Sequence, residues 1–397
     1  MGSSSSKKDK AGKGDPGKGN GTCDGERTKN LKRGGESNSK SWADVSKNSL
    51  GITQKEGSSH FKLSDGEIEN DTFNGVLFSC LIQGFRKDQD RFVCIPELVT
   101  TPKVSLCGLF DGHGKDGDMV AENVATVLPQ LVRDSLVKKA KPIGDDLMKI
   151  EADDFSSALK ESYMQMQESL DKEFEANVVG PTMKLKKEIE AAQNTALGEI
   201  SMPLGSGTTS TLFLMDKDTI YVAHVGDSRA VLCSATEDDK VVTAEDLTTD
   251  QNMSRCGEEE LARIENAGGT VFGKYVAGDY IDGMLQLTRS LGDCPLHRQN
   301  IVSHEPVVRS SSLTSSTFFC LAATDGIWDQ FSSLEACQYV YDQVRSSVNA
   351  CSGPVDIQDI LLQVSRALGS EAAKRATNSG HQSDDVSVLI LVISQFW

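Results

Sequence analysis

The chain has 397 residues, is 38% apolar and carries a formal net charge of −17, so it has the length for one large domain or two smaller ones around a substantial core. No apolar run approaches the ~18 residues that would span a membrane, and the polar start does not read as a secretory leader. Residues 1–40 hold ten Lys/Arg against five Asp/Glu, which leaves −22 on the remaining 357 residues; a body that acidic argues against a nucleic-acid partner and is compatible with a metal site built from carboxylates.

Ten cysteines are scattered without a C-x-x-C pair, and Cys80, Cys94, Cys107, Cys233 and Cys320 fall in apolar, strand-like runs. They read as reduced core thiols of an intracellular protein, not as a disulfide framework or a zinc site. Residues 1–45 are expected to form a disordered, basic tail rich in Gly, Ser and Lys, because they hold too few apolar residues to bury. Residues 46–397 are expected to form the folded body. The tail opens Met1-Gly2-Ser3-Ser4-Ser5-Ser6-Lys7-Lys8, which fits N-myristoylation of Gly2. One acyl chain binds a membrane weakly, and Lys7, Lys8, Lys10, Lys13 and Lys18 would add attraction to an anionic leaflet. A vector-derived leader can begin the same way, but no His-tag follows. The expected location is the cytosolic face of a membrane if Gly2 is acylated, and otherwise the cytoplasm or nucleus.

Along the body, residues 41–75 are weakly patterned, with room for one edge strand. Gly75–Gln83 reads as a strand, followed by a charged turn and a second strand, Phe92–Ile95. Val104–Phe110 is a buried strand that runs into Asp111-Gly112-His113-Gly114, where glycines allow a tight turn and a close backbone approach. From Asp116 apolar residues recur at helical spacing through Leu136, and a second helical stretch runs from Asp153 through Leu170 to a break at Gly180-Pro181. The Lys/Glu-rich residues 182–200 read as an exposed insertion or a further helix.

Strand patterning returns at Ser206–Leu214 and Thr219–Val225. After Gly226-Asp227-Ser228-Arg229 it resumes over Ala230–Cys233, which reads as a hairpin with an acid at its turn. Residues 245–280 are irregular apart from an amphipathic helix, Glu258–Asn266, stopped by Gly268-Gly269. Phe318–Thr324 repeats the earlier design, an apolar strand leading into Asp325-Gly326. Helices are expected over Ser333–Val344 and Val355–Ala376, and Ser383-Asp384-Asp385 leads into a last strand, Val388–Ile393.

Asp90, Asp111, Asp227, Asp325 and Asp384 thus each stand at a strand end beside a turn. A single such aspartate is an ordinary turn residue, but five on one β core are harder to dismiss. Carboxylates that converge repel one another and need positive charge. Oxygen donors without a Cys/His cluster point to Mg2+ or Mn2+ over Zn2+.

Six blocks then occur in a telling order: Asp111-Gly112-His113-Gly114, Ser206-Gly207-Thr208-Thr209, Val225-Gly226-Asp227-Ser228-Arg229, Thr288-Arg289-Ser290-Leu291-Gly292-Asp293, Ala323-Thr324-Asp325-Gly326-Ile327-Trp328-Asp329 and Asp384-Asp385-Val386-Ser387. From about Val76 onward the chain resembles the metal-dependent type 2C Ser/Thr protein phosphatases. The resemblance implies an α+β fold, a four-layer α/β/β/α sandwich of two antiparallel sheets flanked by helices. It implies a binuclear Mg2+ or Mn2+ site, with Asp111 bridging both ions, the Gly112 carbonyl on one, and Asp325 and Asp384 as further ligands. Asp90 would act mostly through water, and Asp227 would hold a third, weaker ion. His113 would be the general acid and Arg86 the phosphate contact. The substrates would be phosphoserine and phosphothreonine in proteins, hydrolysed by direct attack of a metal-bridging water, and the expected state is a monomer.

Some positions depart from the family's common pattern. Gln89 stands where a glutamate is usual, Arg86 lies one residue closer than the usual arginine, with Lys87 beside it, and Lys115 replaces a glycine. The alternative function is a catalytically weak member of the fold that binds a regulator or phosphoprotein. The presence of Asp111, Asp325 and Asp384 favours the enzyme.

Overall fold

The computed structural model describes residues 70–73, 76–83, 89–143, 148–180, 184, 202–203, 205–235, 242–279, 281–350, 357–380 and 384–393. The tail with Gly2, the Arg86–Lys87 pair and nearly all of the 182–200 stretch lie outside these residues.

Eleven strands make two antiparallel sheets. One sheet holds β1 (Asn70–Phe73), β2 (Val76–Gln83), β7 (Arg229–Ala235), β8 (Val242–Asp246), β10 (Thr317–Ala323) and β11 (Val386–Ile393), in the order β1-β2-β11-β10-β7-β8. The other holds β3 (Arg91–Val99), β4 (Val104–Phe110), β5 (Ser210–Asp216), β6 (Thr219–Val225) and β9 (Val307–Ser312), in the order β9-β6-β5-β4-β3.

The period-2 alternation of the strands decides the layers. On β4, Leu109 and Cys107 face the six-stranded sheet, and with Phe213 they meet its Leu232, Cys320 and Leu389 in a core between the sheets. Their neighbours Phe110, Leu106 and Val104 face the other way. There they pack against α1 (Gly117–Lys139) and α2 (Ala152–Phe174). On β11, Leu389 and Leu391 point inward, while Val388, Ile390 and Val392 meet α4 (Ser333–Ala350) and α5 (Ile357–Asn378). Burial of each such side chain contributes about 1.5–3 kcal/mol, and strands apolar on both faces are what a sheet covered on both sides requires. The result is the expected four-layer sandwich. Seven cysteines of the described residues are thiols and six of them are buried, as their apolar surroundings in the sequence suggest.

One expectation is corrected. Thr219–Val225 and Arg229–Ala235 do not form a hairpin. Val225 belongs to one sheet, pairing with Ser210, and Arg229 belongs to the other, pairing with Ala323. The residues between them carry the chain across the sandwich, and Gly226 turns the corner at φ +98°. Thr219–Val225 pairs instead with Ser210–Asp216. The chain also changes sheets between Gln83 and Arg91. Residues 245–280 are better organised than their sequence suggests. Alongside α3 (Glu258–Asn266) they hold a small hairpin, Thr270–Phe272 with Tyr275–Ala277, over a satellite core of Ile264, Val276, Leu287 and Leu296.

Candidate active site

The strand register sets all five aspartates at one end of the sandwich. Arg91 pairs with Phe110, so Asp90 and Asp111 flank one strand pair. Arg229 pairs with Ala323 and Ala323 with Val388, which brings the flanks holding Asp227, Asp325 and Asp384 to the same end. Asp90 and Asp227 sit where the chain crosses between sheets. Asp325 opens a one-turn helix, Asp325–Trp328.

Backbone packing here leaves no room for side chains at two glycines. A Cβ on Gly112 would lie 2.5 Å from the Gly117 carbonyl and 2.6 Å from that of Gln89. Gly114 has φ +87°. Gln89 donates its amide to the Gly114 carbonyl at 3.1 Å, so a neutral residue at this position ties down the turn that carries Asp111 and His113. Thr208 and Thr209 grip the same turn. The Asp111 N–H donates to Thr209 Oγ1 at 3.0 Å, and Thr208 Oγ1 and the Thr209 N–H both donate to the Asp111 carbonyl.

The carboxylates share a strong negative field. Burial raises the proton affinity of Asp111 well above the ordinary carboxylate range, and repulsion from Asp90, Asp325, Asp227 and Asp384 adds to it. Asp325 is raised by burial and then by Asp227, Asp384, Asp329 and Asp90. Asp227 is raised chiefly by burial, against a hydrogen bond from Asn252 at 2.9 Å. Asp90 is pushed up to about 7, again chiefly by burial, against a hydrogen bond from Ser387. Among the described residues, no three His, Cys, Asp or Glu side chains stand in the closed arrangement of a metal site. The relation between the five is electrostatic, a concentration of like charge partly withdrawn from water. Hard oxygen donors in that condition fit a divalent cation of the Mg2+ or Mn2+ kind.

His113 stands beside this cluster. Its Nε2 lies 2.8 Å from Asp293 Oδ2, with the imidazole 23% exposed and the carboxylate fully buried. Burial works against protonation of His113, but the charge and hydrogen bond of Asp293 outweigh it and the net shift is upward. For Asp293, burial works toward neutrality, while His113 and the Ser290 hydroxyl, 2.6 Å away, bring it below its usual range. Gly207 makes the contact possible, since a Cβ there would lie 2.6 Å from His113 Nε2 and closer still to Asp293 Oδ2.

Of the residues singled out in the sequence, Asp90, Asp111, Gly112, His113, Asp227, Asp325 and Asp384 are brought to this one end, and Arg86 is outside the described residues. Sequence reasoning gave no role to Asp293, Asn252, Ser290 or Ser387. For Asp293 a signal was present, because Gly292-Asp293 repeats the Gly-Asp pair of Gly226-Asp227. For Asn252 there was none.

A family model described as Protein phosphatase 2C matches residues 77–380. Protein phosphatase 1L of Bos taurus is 29% identical over 66% of this chain, which spans 62% of that protein's length. Protein phosphatase 2C 1 of Paramecium tetraurelia is 27% identical over 80% of this chain and 92% of its own length. A solved serine-threonine phosphatase 2C from Toxoplasma gondii, 20% identical, shares the fold with a TM-score of 0.61 over 85% of this chain and 99% of that one. With the family model covering residues 77–380, the chain belongs to the protein phosphatase 2C family.

Proposed function

We propose that the chain is a metal-dependent protein serine/threonine phosphatase. Its Mg2+ or Mn2+ ions would be held by Asp111, the Gly112 carbonyl, Asp325 and Asp384, with Asp90 in support and a weaker third ion at Asp227. The observation that carries this reading is the convergence of five aspartates from both sheets at one end of the sandwich, four of them raised in proton affinity. When bound, the cations supply a water of lowered pKa as nucleophile and offset the charge on the phosphoryl oxygens.

The chain's own residues supply the rest. The rigid strand ends hold the carboxylates, so little reorganisation is needed as the reaction proceeds. A serine or threonine alkoxide is a poor leaving group and needs a proton. His113 is the donor. Asp293 engages Nε2, which leaves Nδ1 as the ring nitrogen for the leaving oxygen. Arg86 would contact the phosphate. The test is phosphate release from a phosphothreonine peptide with Mn2+ and with chelator. Turnover that depends on the metal supports the reading; equal turnover in chelator, or none under either condition, contradicts it.

A further inference from the structure

Asp293 has an unusual backbone. It is a non-glycine residue in the left-handed region, φ +40° and ψ +38°. Gly292 before it has φ +90°, and a Cβ there would lie 2.5 Å from the Ser206 carbonyl. A turn of this kind persists only when its surroundings over-determine it.

Three contacts hold the turn. Leu291–Gly292 pairs with Gly207–Thr208, which in turn pairs with Gly112–His113, so Gly207 lies in register between Gly292 and His113. The Asp293 N–H donates to the Ser206 carbonyl at 3.0 Å. The third contact comes from α2. Gln167, 1% exposed, closes both ends of its amide on one residue. Its Nε2 donates to the Gly292 carbonyl at 3.0 Å, and its Oε1 accepts from the Gly292 N–H at 2.9 Å. Its neighbour Met166 is in the core between α2 and the sheet, so the clamp stands on a rigid base. A buried amide is costly unless it is satisfied, and both ends of this one meet the residue before Asp293, with longer contacts from Nε2 to Asp171 Oδ1 at 3.3 Å and Cys294 Sγ at 3.8 Å.

We propose that Gln167 is a positioning residue for catalysis. By fixing Gly292 it sets where the Asp293 carboxylate stands, and through that carboxylate it sets the orientation of the His113 ring. The proposal rests on the reading of His113 as the proton donor to the leaving alkoxide. Loosening the clamp leaves the carboxylate cluster intact and misplaces the proton. The loss should therefore depend on the leaving group, which a mere brace of the fold would not produce.

The test uses the full chain with Mn2+, a phosphothreonine peptide and p-nitrophenyl phosphate. The variants are Gln167→Met, which removes both hydrogen bonds to Gly292 along with those to Asp171 and Cys294, and Gln167→Asn, which keeps the polarity but retracts the amide by one methylene and serves if the first does not fold. The ratio of the peptide rate to the aryl rate is expected to fall roughly tenfold, because an alkoxide needs the proton and p-nitrophenolate barely does. In a His113→Ala background the same substitution should lower the ratio no further, since the two residues act as one unit. An unchanged ratio, or a loss fully additive with that of His113→Ala, overturns the proposal and leaves the role of His113 intact. If His113→Ala itself slows both substrates alike, the reading of His113 fails, and the proposal fails with it.

Discussion

Ser387 on the last strand donates its hydroxyl to Asp90 Oδ2 at 2.6 Å, across 297 positions of the chain. The same serine exchanges backbone contacts with Thr324, the residue before Asp325. Its N–H donates to Thr324 Oγ1 at 3.0 Å, and its carbonyl accepts from the Thr324 N–H at 3.1 Å. One small residue thus links three aspartate-bearing segments across the two sheets. Ser387→Ala is expected to lower stability by about 1–3 kcal/mol, the cost of leaving a buried carboxylate without its donor. Urea unfolding of the two proteins measures it, and equal midpoints and slopes would show that the contact does not matter.

The same cluster gives the metal-free protein a pH dependence of definite sign. Burial and mutual repulsion raise Asp111, Asp227 and Asp325, and Asp90 reaches about 7. The folded state therefore keeps protons that the unfolded chain gives up near pH ~4. That contribution is lost as pH rises through the folded-state values. His113, also raised, acts in the same direction. His224, lowered to about 4, and His297, lowered to about 3, act the opposite way, but only below their ordinary range near pH ~6.5. In chelator, stability should fall between roughly pH 6.5 and 7.5, as Asp90 passes through its value of about 7. In excess Mn2+ the slope should disappear or reverse, because ligands bind metal deprotonated. Unfolding midpoints at the two pH values decide this, and a flat or rising profile in chelator would contradict it.

Gly207 offers a direct probe of the His113–Asp293 pair. A methyl group there enters the space between the two side chains. Gly207→Ala should slow a phosphothreonine peptide more than p-nitrophenyl phosphate, by roughly tenfold or more in the ratio of rates. Parallel steady-state assays would show it. Equal slowing would mean that the methyl group disturbs the turn and not the proton.

The strands and helices were legible because their apolar residues recur at 2 or at 3.6, and Val104–Phe110 and Glu258–Asn266 begin and end where their patterns do. The five strand-end aspartates were legible for a related reason: an apolar run stops at an acid and a turn at Asp111, Asp227 and Asp325, and one starts just after Asp90 and Asp384. The partnering of strands was not legible. Val225 and Arg229 flank a short Gly-Asp-Ser segment, and nothing local distinguishes a hairpin from a crossing between sheets. The difference lies in long-range pairing with Ser210 and Ala323. Asp293 was visible in its Gly-Asp pair, but its role was not, because the contact with His113 is made 180 positions away in the chain. The satellite core around Ile264 and Val276 was missed because, apart from Glu258–Asn266, its pieces are shorter than a recognisable pattern.

Location is a separate prediction, carried by the sequence of the tail. We propose that Gly2 is myristoylated and that the lysines after Ser6 strengthen attachment to an anionic leaflet, each by roughly 1 kcal/mol. Attachment should then weaken with salt and fail in Gly2→Ala. Fractionation of cells expressing both proteins, with mass spectrometry of the N-terminus, gives the answer. The same distribution for both, or no acyl group, would leave the enzyme without this anchor.

The central claim is that the converging aspartates hold the metal that performs the hydrolysis. The most direct measurement is calorimetric titration of Mn2+ into the wild-type chain, Asp111→Asn and Asp325→Asn, with phosphothreonine-peptide turnover followed in the same samples. The account predicts that both substitutions weaken Mn2+ binding and cut turnover by roughly a hundredfold or more, because each removes a ligand of the ions that activate water. Wild-type turnover in either variant at saturating Mn2+, or wild-type Mn2+ affinity in both, would contradict it.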